Sequence, residues 1–236
     1  MNLPKKLRTS VAVPLGAAAL AWGLVGCGGE ASTGPAPGSS AEEEAARLHE
    51  AQLSGFQGLE RVEDETRAGV YGELDVVQEE IEGRSSLTLD KPECADAANQ
   101  WDQLPEVQQA PASVALFQGS EGALSHTLLE LPEELAAQVV AFVPPEECTT
   151  YEATLEDGTT RTYTVHELDV DTIGDESRAL AVEMQGEDGK KLVLYSLLYR
   201  RGERLGAVSM LGGPGEEQRV VDFAAAALDY QNQVLG

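Results

Sequence analysis

From residue 41 onward, apolar positions recur with two different periods, and the switches between them mark out the elements. Ser40 followed by Glu43 has the form of a capping box, and Glu42 to Glu44 suit the positive end of a helix running to about Leu53. Leu53, Phe56, Leu59 and Val62 follow without a clean period, as in a strand or an irregular entry segment. Val70, Leu74, Val77 and Ile81 are spaced for an amphipathic helix. Asp90, Pro92 and Glu93 open another, with Cys94, Ala98, Trp101 and Leu104 on one face.

The period then shortens to two. Ala112 to Gln118 and Leu124 to Leu131 alternate around Gly119-Ser120-Glu121-Gly122, which predicts a hairpin. Pro132 and two acids start a helix carrying Leu135, Val139 and Phe142, and Pro144-Pro145 stops it. Thr149 to Leu155 and Thr160 to Leu168 flank Asp157-Gly158, a second hairpin. Arg178 to Gln185, Lys191 to Arg200 and Arg204 to Leu211 follow as strands; the middle one is apolar on both faces except at Ser196, which places it centrally. Pro214 and two acids begin a last helix, with Val220, Phe223, Ala224, Ala227 and Leu228 toward the core. No internal repeat is present. The expected fold class is α+β: a mostly antiparallel, twisted sheet of five to seven strands with helices packed on it and one disulfide.

The first 40 residues have a different character. Lys5, Lys6 and Arg8 form a basic n-region before an apolar stretch, Val11 to Val25, that is too short for the ~20 residues of a spanning helix. It ends in Leu24-Val25-Gly26-Cys27, which resembles the lipobox of bacterial lipoproteins. That resemblance implies cleavage after residue 26 and a diacylglycerol thioether on Cys27; the alternative is an ordinary secretory signal followed by a chance free cysteine. Two acyl chains suffice for stable anchoring. Residues 27–40 would then be the lipidated Cys27 and a Gly/Pro/Ser tether, and 41–236 a single extracytoplasmic domain at the outer face of the cell membrane.

Charge changes the list of partners. The formal charge is -25, and it becomes -28 when the three basic residues of the signal leave and all 41 acids stay. No nucleic acid is expected to bind such a chain. Electrostatic adhesion to anionic lipid is equally disfavoured, so contact with the membrane rests on the lipid. A cationic ligand or partner would suit the surface. Cys27 being assigned to lipid, Cys94 and Cys148 remain as a pair for one bridge in an oxidising compartment. The competing reading, a reactive or metal-binding pair, finds neither a CxxC spacing nor a nearby histidine.

Motifs for catalysis are missing. His49, His126 and His166 are isolated, each reading as a solvated or hydrogen-bonded structural residue. There is no HExxH, GxSxG, Walker loop or GxGxxG, and Gly212-Gly213-Pro214-Gly215 is a strand-to-helix turn without a lysine. Asp169 to Glu176 matches an EF-hand loop at its first, third and sixth positions, but Ile173 and Leu180 stand where calcium needs oxygens. No catalytic residue, metal site or cofactor is therefore assigned. The acid-rich loop and the arginine after it, Asp175, Glu176 and Arg178, are the candidate ligand-binding residues.

Ile173-Gly174-Asp175-Glu176-Ser177, an apolar strand, and then Tyr199-Arg200-Arg201-Gly202 resemble a pattern of actinobacterial lipoproteins similar to the extracellular sensor-like domain of PknH-type receptor kinases. The resemblance covers about residues 90–236, with Cys94, Cys148 and the Ala-rich last helix in the matching order. It implies an antiparallel sheet flanked by helices, outside the cell, with ligand binding or sensing as its role. This chain carries no kinase and no spanning helix, and one cysteine pair rather than two, so only an extracytoplasmic binding role carries over. Two other readings stand beside it: a structural or assembly lipoprotein that binds another envelope protein through an apolar patch, and an envelope hydrolase with convergent ionisable groups in a pocket.

Overall fold

Ser40 starts the first helix as its sequence demands. Its Oγ accepts from the Glu43 N–H at 3.2 Å, while the Glu43 carboxylate accepts from the Ser40 N–H at 3.0 Å. In this computed structural model the described residues are 40–236, apart from 86, 96, 98, 121, 156, 157, 186–188 and 190. The signal, Cys27 and nearly all of the tether lie outside them, as does part of each of the two hairpin turns read from sequence.

The helices are α1 (Ala41–Glu50), α2 (Asp75–Ser85), the single turn α3 (Pro105–Gln108), α4 (Glu133–Ala141) and α5 (Glu217–Val234). Seven strands of five residues or more carry the sheet: β5 (Pro111–Gly119), β6 (Gly122–Glu130), β7 (Thr150–Thr154), β8 (Thr160–Leu168), β9 (Glu176–Gln185), β10 (Lys191–Arg201) and β11 (Arg204–Gly212). These are the seven that alternation predicts. Four strands of two to four residues extend the sheet to eleven among the described residues: β1 (Gly55–Phe56), β2 (Leu59–Arg61), β3 (Arg67–Val70) and β4 (Thr88–Leu89). The order is β1-β2-β5-β6-β11-β10-β9-β8-β7-β4, with β3 also on β5, and among the described residues these strands pair antiparallel throughout. From β7 to β11 the chain runs as a meander that closes against β6.

Alternation along the strands sends side chains to two covered faces. On one, the five predicted apolar residues of α5 pack against Phe117, Leu197, Val208 and their neighbours, and Leu48 of α1 meets Leu128. Phe223 is edge-on to Phe56, Phe117 and His126 at centroid distances of 5.4, 4.9 and 5.3 Å. On the other face, Val77, Trp101, Ala136, Val139 and Val140 cover Ala112, Leu129, Leu198 and Leu205, and beside them Cys94 and Cys148 lie on Val165, Leu180 and Val182. Strand β10 contributes to both, so it sits mid-sheet.

Two predicted helices differ. Val70 belongs to β3, paired with Pro111; a 3-10 turn covers Tyr71–Glu73, and α2 begins only at Asp75. Long-range pairing with β5 outcompetes the local helical spacing. The predicted helix from Asp90 does not form. Pro92–Cys94 and Gln100–Gln103 are separate 3-10 turns, and the Gln100 amide donates to the Glu93 carbonyl at 2.8 Å and to that of Ala95 at 3.3 Å, oxygens that a helix would have satisfied from its own backbone. The Cys94–Cys148 disulfide therefore joins two 3-10 turns, the second being Glu146–Thr149.

Candidate functional site

The two sequence segments that carry the family resemblance fold into one local structure. Ile173 is buried under α5, and its N–H donates to Ser177 Oγ at 2.9 Å, which closes the loop before β9. Gly174 forms an isolated bridge with Arg200, and the Asp175 N–H donates to the Arg200 carbonyl at 2.8 Å. The Asp175 carboxylate in turn accepts from the Gly202 N–H at 2.8 Å and approaches the Arg201 guanidinium at 3.4 Å. Glu176 accepts from Arg200 Nε at 3.0 Å, and that bond holds its carboxyl below the usual range. Both acids are thus engaged with the β10–β11 turn.

Gly174 is required here. Its φ is +72°, and a Cβ at this position would press into the carbonyl oxygen of Arg200. Gly174→Ala is expected to lower stability by about 2 kcal/mol, measured by urea denaturation, from the left-handed backbone alone. An unchanged midpoint would show that the loop is not seated on β10.

Arg178 takes the other direction. It lies two residues into β9, on the same face as Leu180, and is 8% exposed. Its guanidinium Cζ stands 5.7 Å from the centre of the Phe142 ring, beyond the end of α4. Nε and Nη1 are buried and have no hydrogen-bond partner. A buried donor left unpaired costs about 1–3 kcal/mol, so such groups are uncommon and call for an explanation. Burial lowers the pKa of the guanidinium, and the negative charge of Glu167 opposes that shift.

The arginine lines a cavity of about 120 Å³. Pro144, Pro145, Val165 and Leu180 supply apolar walls, and Thr149 and Glu167 its polar edge. The proline pair that ends α4 gives the segment its extended path, and the disulfide at Cys148 pins the far side of that segment. Of the three residues proposed from sequence, Arg178 is the one that lines this cavity. Asp175 and Glu176 bear side chains 37% and 48% exposed on the arginine-rich turn.

Two broader clefts each hold an ion pair. A broad cleft of about 740 Å³ over β8 and β9 has Lys191 bonded to Glu183 at 2.5 Å. One of about 410 Å³ at the Glu130 end of β6 holds Arg47 and Glu44 in an ion pair at 2.8 Å. There the Glu130 carboxyl is pushed up by burial and by Glu44 and Glu203. A smaller apolar hollow of about 150 Å³ is lined by the stacked rings of Tyr151 and Tyr163.

His126, assigned from sequence to structure rather than chemistry, proves to be the hub of a polar network within the core. Its Nδ1 is 2.6 Å from Gln52 Oε1 and its Nε2 is 2.9 Å from the Tyr199 hydroxyl. Gln231 Nε2 donates to the same hydroxyl at 2.6 Å, and Gln52 Nε2 donates to the backbone carbonyls of Ser113 and His126. The directions are consistent throughout: Gln231 donates to Tyr199, the Tyr199 hydroxyl to Nε2, and Nδ1–H to Gln52. The sequence signal was a glutamine next to apolar positions, Gln52 just after α1 and Gln231 three residues beyond Leu228 on the buried side of α5. His166 is half-exposed, with its Nε2 3.5 Å from Glu183.

No family model matches the chain, and no curated protein matches it either. Among solved structures, an uncharacterized protein (Rv0999 ortholog) from Mycobacterium smegmatis aligns at a TM-score of 0.45 with 16% identity, over 82% of this chain and 97% of that one. The extracellular domain of PknH from Mycobacterium tuberculosis aligns at a TM-score of 0.55 with 10% identity, over 80% of this chain and 96% of that one. The large antiparallel sheet and its flanking helices thus form a fold of the kind found in the PknH extracellular domain, as the Ile173–Ser177 and Tyr199–Gly202 segments led one to expect.

Proposed function

We propose that the chain is a lipid-anchored, extracytoplasmic lipoprotein whose domain, residues 41–236, is a ligand-binding or sensor-like module of the cell envelope. One observation supports the binding role above the others: a buried guanidinium, free of hydrogen bonds, set at the wall of a cavity. A fold shared with a domain described as extracellular agrees with placement outside the membrane. Residues 1–26 serve as the signal, Cys27 as the lipidated residue, and the stretch to residue 40 as tether. Among the described residues no helix is long and apolar enough to cross a membrane, so attachment in this reading depends on Cys27.

Both halves are testable. Cys27→Ala is expected to leave the protein uncleaved or release it to the medium; if the variant fractionates with membranes at mature mass, the anchor is something else. Native mass spectrometry of the lipoprotein purified from its own envelope should show an added small mass. A bare polypeptide mass from several mild preparations would count against ligand binding.

A further inference from the structure

We propose that the Arg178 cavity is a carboxylate-binding site, and that its ligand is a small monoanionic carboxylic acid with an apolar substituent. This inference rests on the ligand-binding reading above and names the chemistry of that site.

Charge balance decides the class of ligand. Among the described residues that line the cavity Arg178 is the only cation, and its unpaired Nε and Nη1 have no acceptor among them. Planar N–H groups of guanidinium match the two oxygens of a carboxylate. Glu167 also borders the cavity, close enough for its charge to act on Arg178. With Arg178 and Glu167 both at its border the cavity is already neutral, so a ligand of a single negative charge pairs with Arg178 against the least repulsion. A phosphate dianion would carry a second charge with no cation to meet it, beside a carboxylate that repels it.

Shape narrows the choice further. The remaining walls are proline, valine and leucine apart from Thr149, whose hydroxyl already donates to the Glu146 carbonyl at 2.7 Å, so a substituent attached to the carboxylate would bury mainly apolar surface. A volume of about 120 Å³ is roughly four times the share of one water molecule in the liquid, which limits the enclosed part to a short chain. Phe142 stands over one face of the guanidinium, so a ligand pairs with the buried Nε–H and Nη1–H at its edge.

Butyrate is the probe, compared with inorganic phosphate at equal ionic strength by calorimetry on the wild-type domain. Butyrate should bind saturably and more tightly than phosphate. Arg178→Met, which keeps an unbranched apolar stem and removes the guanidinium, should weaken butyrate at least about tenfold, and Glu167→Gln should tighten it a few-fold through loss of repulsion. Because Arg178→Met could unfold the domain, the Arg178 Nε–H resonance of the wild type is followed as well. It should shift with butyrate along the same isotherm. Equal binding to the Met variant, tighter binding of phosphate, or an unmoved Nε–H signal would each overturn the proposal. A native ligand still retained by folded Arg178→Met would overturn this site and leave the ligand-binding reading standing.

Discussion

Removing the disulfide with Cys94→Ala/Cys148→Ala is expected to lower the free energy of unfolding by about 4 kcal/mol, from the entropy released to the unfolded chain when a 54-residue loop opens. Both cysteines are fully buried, among Tyr151, Val165, Leu180 and Val182, so the missing sulfurs also leave a packing defect that adds to the loss. Among its described residues the chain between Pro92 and Gln103 contains two 3-10 turns and no α-helix, and its inward contacts include Trp101 against Tyr71, Asn99 Oδ1 accepting from the Ser196 hydroxyl at 3.1 Å and Asp102 paired with Arg84 at 2.7 Å. On the other side, Cys148 sits between Pro145 and Thr149, two residues that wall the Arg178 cavity. The bridge thus stabilises the domain and the candidate site together. Urea midpoints of wild type and double variant, with reduced wild type as a third sample, measure the effect. A loss below about 1 kcal/mol would show that packing alone holds this segment and that the entropic account is wrong here.

Strands and the last helix were legible because burial on a regular element leaves a period. Residues 112–131, 150–168 and 178–211 alternate or run apolar where the sheet is covered on both faces, and Val220, Phe223, Ala224, Ala227 and Leu228 mark one side of α5. Legibility failed where a distant partner overrides the local signal. Val70 has helical spacing to Leu74, but its backbone pairs with Pro111. Cys94 and Trp101 lie at helical spacing, yet each is placed by a contact far away in sequence, Cys148 and Tyr71. The site divides in the same way. Asp175, Glu176 and Arg178 are neighbours in sequence, and the two acids meet Arg200, Arg201 and Gly202 of the β10–β11 turn, 24 to 27 positions later. Arg178 reaches its cavity because β9 directs it beneath Phe142, a residue more than thirty positions earlier, and no period in a single sequence encodes that.

Acid should destabilise the domain from well above the carboxylate range, because His126 cannot accept a proton while the core is intact. Its surroundings are Gln52, Tyr199 and the edge of Phe223, with no acid to stabilise an imidazolium, and burial lowers its pKa from 6.5 to about 3. Above pH 6.5 folded and unfolded chains both hold it neutral, and it contributes no pH dependence. Between 6.5 and about 3 the unfolded chain takes up a proton that the folded chain refuses, so stability falls by about 1.4 kcal/mol per pH unit, on the order of 5 kcal/mol over the window. Geometry gives the same result as the electrostatics. Protonated Nε2 would be a donor facing the Tyr199 hydroxyl, whose proton would then need a new acceptor while Gln231 still donates to its oxygen. Alkali acts on the other partner. Burial raises the Tyr199 pKa, so stability is also lost as the pH climbs past 10 and the unfolded phenol ionises. Urea midpoints from pH 7.5 to 4 should show the acid slope, and His126→Gln, which cannot titrate, should flatten it. The imidazole C2–H resonance of the folded wild type should stay unchanged over the same range; a titration near 6.5 in the folded state would mean that the network is open to water, and the slope would vanish with it.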